Sequence, residues 1–434
     1  MKLPRLLFLL LFLSSVTLAA PKLLIQPRDG IAPILERINA AKTSIRHKIY
    51  LFTDSRQDVI DALAAATKRG VDVRILLERE PSGTSGGNTA IFLKLKEAGL
   101  NVQLSRAFKF VFIHEKSFVF DDREALISTA NITGSSFGAN REYQVVLDEP
   151  ALVKEIVDVF EADWKGEDID LKNAKLVWSP SQIKSNGLVR GNSREKMIAL
   201  IRSARTSLLI QQQSMADEEI IREIQTVSRQ GIPVTLVGPP QELTDTYYYA
   251  GAERLRGAGV KVKYLLTNYV HAKVIIADKT RALVGSINLS GNSINANREL
   301  GVILEKSTAP EAVDALVAQI ELDASKSVDT NPFALPRLET IQDARNMGEF
   351  VGREGTFEGL VEEVERRDAV AFLTFGKGAI APRGVVFARA YDAFAQPFPQ
   401  AYLGKRVQIR GRVQLYGDYY EVILNSPDQI TVLP

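Results

Sequence analysis

The chain has 434 residues, of which 45% are hydrophobic and 24% charged, a composition ordinary for a soluble globular protein of two or three domains. It contains no cysteine, which excludes disulfides and a cysteine-linked lipid anchor. Without Lys2 and Arg5 of the N-terminal segment, 52 basic residues face 52 acidic ones. Any binding of a polyanion must therefore come from local patches and not from net charge.

Residues 1–20 have the pattern of a signal peptide. Lys2 and Arg5 precede an uncharged run from Leu6 to Ala20, which is too short for a comfortable membrane span. Small residues favour cleavage after Ala19, and an uncleaved N-terminal anchor is the alternative. We therefore expect a secreted or periplasmic protein with no stable membrane span after cleavage.

Strand-like and helix-like segments alternate between residues 21 and 175. The hydrophobic spacing predicts strands at 44–52 and 71–77 and helices at 58–69, 90–98 and 152–164. Such alternation indicates an α/β layer fold. The Gly- and Ser-rich stretch 81–88 is interpreted as a surface connection, with a mobile lip over a site as the alternative.

Residues 176–325 repeat the order of the first half. Residues 38–45 resemble 201–208, residues 69–73 resemble 230–234, and residues 97–102 resemble 257–262. The offset between the copies falls only from 163 to 160 along these segments, which small loop insertions explain. The sequence therefore predicts two duplicated α/β domains joined near 179–192. Because both copies are in one chain, a monomer is the default expectation.

A third domain is predicted from residue 331 to 434, after a linker marked by Pro332 and Pro336. Five strand-like runs, at 355–364, 369–375, 384–391, 405–416 and 419–424, suggest a small closed β-barrel similar to an OB-fold. Seven basic residues and one acidic residue lie between 377 and 412. A groove for single-stranded nucleic acid and a solvated barrel face are both open interpretations. The candidate nucleic-acid contacts are Lys405, Arg406, Arg410, Arg412 and Tyr416.

Two of the three histidines occur in the same polar frame, once in each half. Each position of the second copy lies 157 residues after its counterpart, and two glutamates keep that spacing. The pairs are His114 and His271, Lys116 and Lys273, Asp121 and Asp278, Asn131 and Asn288, and Glu142 and Glu299. A histidine and a lysine two apart on a strand point the same way, and the returning strand brings the asparagine to the same edge. The third histidine, His47, alternates with Ile45 and Ile49, which predicts a packed strand face.

Such a pair of half-sites suits phosphoryl transfer. One imidazole can attack phosphorus while the other protonates the departing oxygen. Two lysines and two amides form a cage for the phosphoryl oxygens, so neither a metal nor another cofactor is needed. A zinc site is disfavoured, because the chain has no cysteine and His-x-Lys is not a ligand pair.

The frame resembles the motif of the phospholipase D superfamily, His-x-Lys-x4-Asp-x6-Gly-Ser-x-Asn. The second copy matches in full, whereas the first carries Ser128-Thr129 where Gly-Ser is usual. The resemblance covers about residues 21–324. It implies halves that face each other about a pseudo-two-fold axis and a phosphohistidine intermediate without a cofactor.

By this resemblance His114 and His271 are the nucleophile and the acid, in an order that the sequence does not give. Lys116, Lys273, Asn131 and Asn288 are expected to contact phosphate, with the Thr129 and Ser286 hydroxyls beside them. Asp121 and Asp278 are grouped with the catalytic set. Together with Glu142 and Glu299, they are expected to orient the imidazoles or the hairpins.

Three functions compete. An exported nuclease, with the barrel gripping DNA or RNA, is favoured because OB-folds commonly bind oligonucleotides. The alternative is an exported phospholipase D that cleaves head groups or transfers the phosphatidyl group to an alcohol, for which apolar or amphipathic surface segments would be expected. The third is a nucleic-acid-binding protein without activity. Nucleic acid is thus the expected partner and phospholipid the alternative.

Overall fold

The computed structural model describes residues 20–82, 87–106, 109–181, 190–240, 251–252, 254–331, 338–350, 353–368, 370–377, 381–416, 419–424 and 427–434. The main division of the chain into two units falls between Asp329 and Thr330. The predicted signal peptide, up to residue 19, and the linker prolines lie outside these ranges, so export stays a prediction. Within them, no helix is both long enough and apolar enough to cross a lipid bilayer.

The first half is a mixed sheet with helices on its faces. Its order is β1-β7-β6-β5-β2-β3-β4, in which β2, β3 and β4 are parallel and β5 is antiparallel to β2. The strands are β1 (Lys22–Gln26), β2 (Ser44–Ile49), β3 (Asp72–Leu77), β4 (Asn101–Leu104), β5 (Ser117–Phe120), β6 (Glu124–Ser128) and β7 (Asn140–Leu147). The helices are α1 (Ala32–Ala40), α2 (Gln57–Lys68), α3 (Thr89–Glu97), α4 (Gly134–Gly138) and α5 (Pro150–Lys165), with a 3-10 turn at Asp54–Arg56.

The second half repeats this sheet strand for strand. Its order is β8-β15-β14-β13-β9-β10-β11, which places every strand as its counterpart is placed in the first half. The strands are β8 (Val177–Ser179), β9 (Leu208–Gln212), β10 (Val234–Gly238), β11 (Lys261–Tyr264), β12 (Tyr269–Val270), β13 (Lys273–Ala277), β14 (Arg281–Gly285) and β15 (Glu299–Glu305). The helices are α6 (Ser193–Ser203), α7 (Glu218–Arg229), α8 (Gly291–Asn295) and α9 (Pro310–Lys326). The predicted duplication of an α/β fold is confirmed.

The two halves share one hydrophobic core. Pro150 occupies the first turn of α5, where its fixed φ suits a helix start, and Gly166 ends the helix with a left-handed φ of 82°. Buried side chains of α5 pack in one cluster with those of β7, β15 and α9. This cluster includes Val145, Val159, Val302 and Ile320. Because residues of both halves fill this cluster, it holds the two sheets together at their junction.

The C-terminal unit is an eight-stranded sheet built around one long strand. β21 (Arg406–Tyr416) pairs with β17 (Glu354–Leu360), β22 (Tyr419–Ile423) and β23 (Ile430–Val432). The remaining strands are β16 (Gln342–Asp343), β18 (Glu363–Arg366), β19 (Val370–Thr374) and β20 (Arg383–Phe387), and 3-10 turns lie at Ala344–Phe350, Ala388–Ala393, Gln400–Tyr402 and Pro427–Gln429.

Two predicted strands of this unit differ from the observed ones. The run 355–364 is divided into β17 and β18, and the run 384–391 ends at Phe387 and continues as a 3-10 turn. Within the described ranges the end strands β16 and β18 do not pair with each other. Closure into an OB-like barrel therefore stays a prediction.

Candidate active site

Each histidine of the repeated frame is held by the backbone of the other half. The backbone N–H of His114 donates to the backbone carbonyl of Arg298 at 2.9 Å, and the backbone N–H of His271 donates to the backbone carbonyl of Arg141 at 3.2 Å. These bonds join the chain before β5 to the start of β15, and β12 to the start of β7. The two motif hairpins therefore meet at the junction of the halves, as the pseudo-two-fold arrangement requires.

The imidazoles are paired with glutamates across this junction. His114 Nδ1 lies 2.8 Å from a carboxylate oxygen of Glu299, and His271 Nδ1 lies 2.8 Å from one of Glu142. Both glutamates are 0% exposed. A carboxylate acceptor places the proton on Nδ1 and leaves Nε2 for chemistry. In the part of the chain that the structure describes, neither Nε2 has a hydrogen-bond partner.

The glutamates are themselves held in place. The Thr129 hydroxyl donates to Glu142 at 2.6 Å, and the amides of Asn140 and Asn297 lie 3.4 and 3.3 Å from Glu142 and Glu299. In the second half the Ser286 hydroxyl bonds the backbone of Leu300 beside Glu299. Thr129 and Ser286 thus support the glutamate strands, and their expected place beside the phosphate contacts stays a prediction. Asn140 and Asn297 were not predicted, although they share the 157-residue spacing of the frame.

Both motif lysines are buried with their ammonium groups at the site. Lys116 Nζ and Lys273 Nζ donate to the carbonyls of His114 and His271, and Lys273 Nζ also donates to Gln213 Oε1 at 2.9 Å. Burial lowers the pKa of Lys116 to about 7 and that of Lys273 to about 8. An anion bound between them would favour the charged form of both lysines.

The asparagine of each motif has a side-chain amide oxygen without a hydrogen-bond partner among the described residues. These oxygens, Asn131 Oδ1 and Asn288 Oδ1, are buried. Buried amide oxygens are rarely left unpaired in proteins. In this orientation the oxygen would accept from a ligand hydroxyl, and turning the amide over would present its NH2 group to a phosphate oxygen.

Both imidazoles are neutral at neutral pH before a substrate binds. Burial lowers the pKa of His114 to about 4. The negative charge of Glu299 acts to raise this pKa, whereas the positive charges of Lys116 and Lys273 lower it further. Burial also lowers the pKa of His271. When both lysines are charged, their ammonium groups balance the carboxylates of Glu142 and Glu299. The single negative charge of a phosphodiester would then be matched by protonation of one imidazole, which is the state that acid catalysis needs.

The structure does not bring Asp121 and Asp278 to the imidazoles, so their grouping with the catalytic residues is corrected. The Asp121 carboxylate accepts the backbone N–H groups of residues 42–44, at 2.6 to 3.1 Å, and Asp278 accepts those of residues 205–207. Each aspartate lies seven positions after its histidine along largely extended chain, a span of roughly 20 Å. The alternative role, orienting the hairpins, fits these contacts.

A reciprocal pair of buried ion pairs fastens the halves and was not predicted. Arg298 Nε donates to Asp163 at 2.9 Å, and Arg141 Nε donates to Asp323 at 2.7 Å. Arg298, just before β15, reaches toward α5 of the other half, and Arg141, in β7, reaches toward α9. The sequence signal was the shared Asn-Arg-Glu at 140–142 and 297–299, in which only the glutamates were given a role.

His47 has the packing role that its alternation predicts. It is buried, its ring stacks on Phe118 with centroids 3.6 Å apart, and Nδ1 lies 2.8 Å from the Ser117 carbonyl oxygen. Burial lowers its pKa to about 3. His47 is therefore a neutral core residue.

The predicted nucleic-acid contacts lie in the C-terminal unit and are partly neutralised there. Arg406, Arg410 and Arg412 share one face of β21. Arg406 pairs with Glu358 at 2.8 Å and Arg410 with Asp428 at 3.5 Å. Arg412 is half-buried, Lys405 is exposed just before the strand, and the side chain of Tyr416 lies outside the described part of the structure. Arg406 and Arg410 thus already have carboxylate partners.

A family model described as "Cardiolipin synthase, PLD-like domain" matches residues 34–164 and 197–322, which are the two halves that meet at the histidines. The chain belongs to the phospholipase D superfamily. Across the described ranges, no group of three His, Cys, Asp or Glu side chains is arranged to hold a metal ion.

Among curated proteins, the chain is similar to "Cardiolipin synthase 2" of Bacillus cereus, with 25% identity over 327 residues. The match covers 68% of this chain and 62% of that protein, so the chain spans less than two thirds of the relative's length.

Among solved structures, the phospholipase D fold is shared with a phosphatidylserine synthase from Haemophilus influenzae. The TM-score is 0.57 at 15% identity, and the match covers 72% of this chain and 89% of that chain. A polyphosphate kinase from Porphyromonas gingivalis gives a TM-score of 0.53 at 16% identity, with coverage of 69% and 47%. Because these proteins are named for different substrates, the shared fold does not by itself select one.

Proposed function

We propose that this phospholipase D relative is a phosphodiesterase that acts on phospholipid head groups, by hydrolysis or by transfer of the phosphatidyl group to another alcohol. The observation that carries the proposal is the crossed pairing of two imidazoles with two buried glutamates, beside two buried lysines. The substrate class is supported by the curated relatives, which are named as synthases of a phospholipid. The sequence by itself favoured a nuclease, and the relatives favour the phospholipid alternative.

The geometry suggests how the two histidines would share the reaction. Nε2 of one imidazole forms a bond to phosphorus while the P–O bond to the head-group alcohol breaks, and the other imidazole gives its Nε2 proton to the leaving oxygen. That second imidazole then takes a proton from water or an alcohol, whose oxygen attacks phosphorus and releases the first histidine. Glu142 and Glu299 stabilise the positive charge that develops on their imidazoles, and Lys116 and Lys273 oppose the charge on the phosphoryl oxygens.

The test compares substrates side by side. Purified protein in EDTA is given vesicles of phosphatidylglycerol and of phosphatidylcholine, single-stranded DNA, double-stranded DNA and RNA, with His271→Ala as the control. Release of a head group by the wild type and not by His271→Ala is the expected result. Cleavage of nucleic acid alone would return the function to a nuclease. Binding of nucleic acid without cleavage, to the same extent in His271→Ala, would instead support the nucleic-acid-binding protein without activity.

A further inference from the structure

The two halves differ at one pair of equivalent positions beside the lysines. Tyr50 and Gln213 are the first residues after β2 and β9, which hold the same place in their sheets. The Tyr50 ring lies edge-on to the His114 ring with centroids 4.5 Å apart, and Lys116 Nζ lies 4.9 Å from its centre. Gln213 Oε1 instead accepts a hydrogen bond from Lys273 Nζ at 2.9 Å. One half-site therefore has an aromatic ring where the other has a carboxamide.

The difference continues toward the surface. Phe112 and Tyr269 each lie two residues before a motif histidine. Phe112 is half-buried against Tyr50, with ring centroids 5.6 Å apart, whereas the Tyr269 hydroxyl accepts from Gln213 Nε2 at 3.3 Å and Tyr269 is 47% exposed. We call Tyr50 and Phe112 the aromatic wall, and Gln213 and Tyr269 the polar wall.

In the aromatic wall Tyr50 is buried and Phe112 half-buried, and it is the Tyr50 ring, not its hydroxyl, that lies beside His114 and Lys116. The Tyr50 hydroxyl accepts the backbone N–H of Ser82 at 2.6 Å, which engages its polar end in the loop after β3. The polar wall consists of an amide and a phenol that are bonded to each other and, through Gln213 Oε1, to Lys273, and an alcohol can exchange for one of these bonds. The two half-sites therefore differ in chemistry at the walls beside the lysines.

We propose that these unlike walls set the direction in which a phosphodiester lies across the two histidines, with its acyl-glycerol side on the aromatic wall and its hydroxyl-bearing head group on the polar wall. Two identical half-sites would accept a diester equally well in either direction. A site built to hydrogen-bond a substrate discriminates strongly against an analogue that lacks the partner group, whereas an apolar wall discriminates by the area it covers. Gln213 and Tyr50 are then specificity-determining residues, and the inference rests on the proposed phospholipid activity.

The experiment uses four diesters that combine two head groups with two opposite sides. The head group is glycerol or 4-nitrophenol, and the opposite side is dihexanoylglycerol or methanol. The full-length protein, Gln213→Leu and Tyr50→Leu are compared by kcat and KM for each diester. Gln213→Leu is expected to lower the preference for glycerol over 4-nitrophenol in kcat/KM by roughly tenfold, mainly through KM. Tyr50→Leu is expected to lower the preference for dihexanoylglycerol over methanol by a similar factor and to leave the head-group preference in place.

The ratio of kcat/KM between two diesters separates a change in specificity from a general loss of activity. A Gln213→Leu variant that only disturbed Lys273 would lose the same factor on both head groups and would overturn the inference. The inference would also be overturned if Gln213→Leu changed the acyl preference and Tyr50→Leu changed the head-group preference. Tyr50→Phe keeps the ring and is expected to keep the acyl preference. Failure of the wild type to cleave any of the dihexanoylglycerol diesters would instead refute the proposed function, and the inference with it.

Discussion

Replacement of Glu142 by glutamine tests the crossed pairing most directly. Glutamine keeps the shape of the side chain and one oxygen that can accept from His271 Nδ1, so the ring keeps its orientation. What is lost is the negative charge beside an imidazole that becomes positive during the reaction. Glu142 lies in the first half and His271 in the second, so the variant also reports whether the halves act as one site.

The magnitude follows from the geometry. With Nδ1 and the carboxylate oxygen 2.8 Å apart, the charge centres lie about 4 Å apart, and at an effective dielectric constant of about 20 they attract by about 4 kcal/mol. Because about 1.4 kcal/mol corresponds to a tenfold change in rate, kcat is expected to fall by about a thousandfold. Glu299→Gln should have a comparable effect through His114.

The assay measures release of glycerol from dihexanoyl phosphatidylglycerol, at saturating substrate, for protein whose thermal unfolding matches the wild type. Glu124→Gln is the matched control, because Glu124 begins β6 and pairs with Arg37 away from the site. A loss of kcat below about tenfold in folded Glu142→Gln would refute the electrostatic role of the glutamate, since it would correspond to less than about 1.4 kcal/mol. A similar loss in Glu124→Gln would show that the effect is not specific to the pair.

Three further changes test the framework of the site. Asp163→Asn should lower the free energy of unfolding by about 3–5 kcal/mol, because Arg298 would stay buried without its carboxylate partner and Lys48 would keep only Glu115. The exposed change Asp158→Asn should alter the free energy of unfolding by less than about 1 kcal/mol. Urea denaturation measures both, and equal effects would contradict the buried network. Asp121→Ala should cost about 1–3 kcal/mol of stability by removing the acceptor of three backbone amides, with kcat of the folded protein retained; a kcat loss like that of Glu142→Gln would restore Asp121 to the chemistry. As pH falls from 6.5 to about 4, stability should fall, because the unfolded chain binds a proton at His114 that the folded state refuses. This loss of stability should be smaller in His114→Gln. The measurement is the urea midpoint of each protein at pH 6.5 and 4.5, and an equal decrease in both proteins would refute the buried neutral imidazole.

Much of the site could be predicted from the sequence, because the functional residues recur at the same spacing in both halves of the duplicated chain. Polar residues that keep a 157-residue spacing in two halves are hard to explain by packing, and all five pairs of the frame could be named from the sequence. The order of strands and helices was equally readable from hydrophobic periodicity. The C-terminal unit was harder, since short strands of alternating residues do not reveal where a strand breaks, as it does between β17 and β18.

What the sequence determined by itself was the chemistry of each half: an imidazole, an ammonium group and an amide on one strand edge, with a glutamate further along, because strand parity and spacing are local properties of the chain. Only the tertiary structure decided which half supplies each partner. The glutamates serve the histidines of the opposite half, Asp121 and Asp278 turn away to backbone amides, and Arg141 and Arg298 cross to the opposite helices. Those choices depend on how two sheets meet, and residues more than a hundred positions apart are brought together only by burying their shared core.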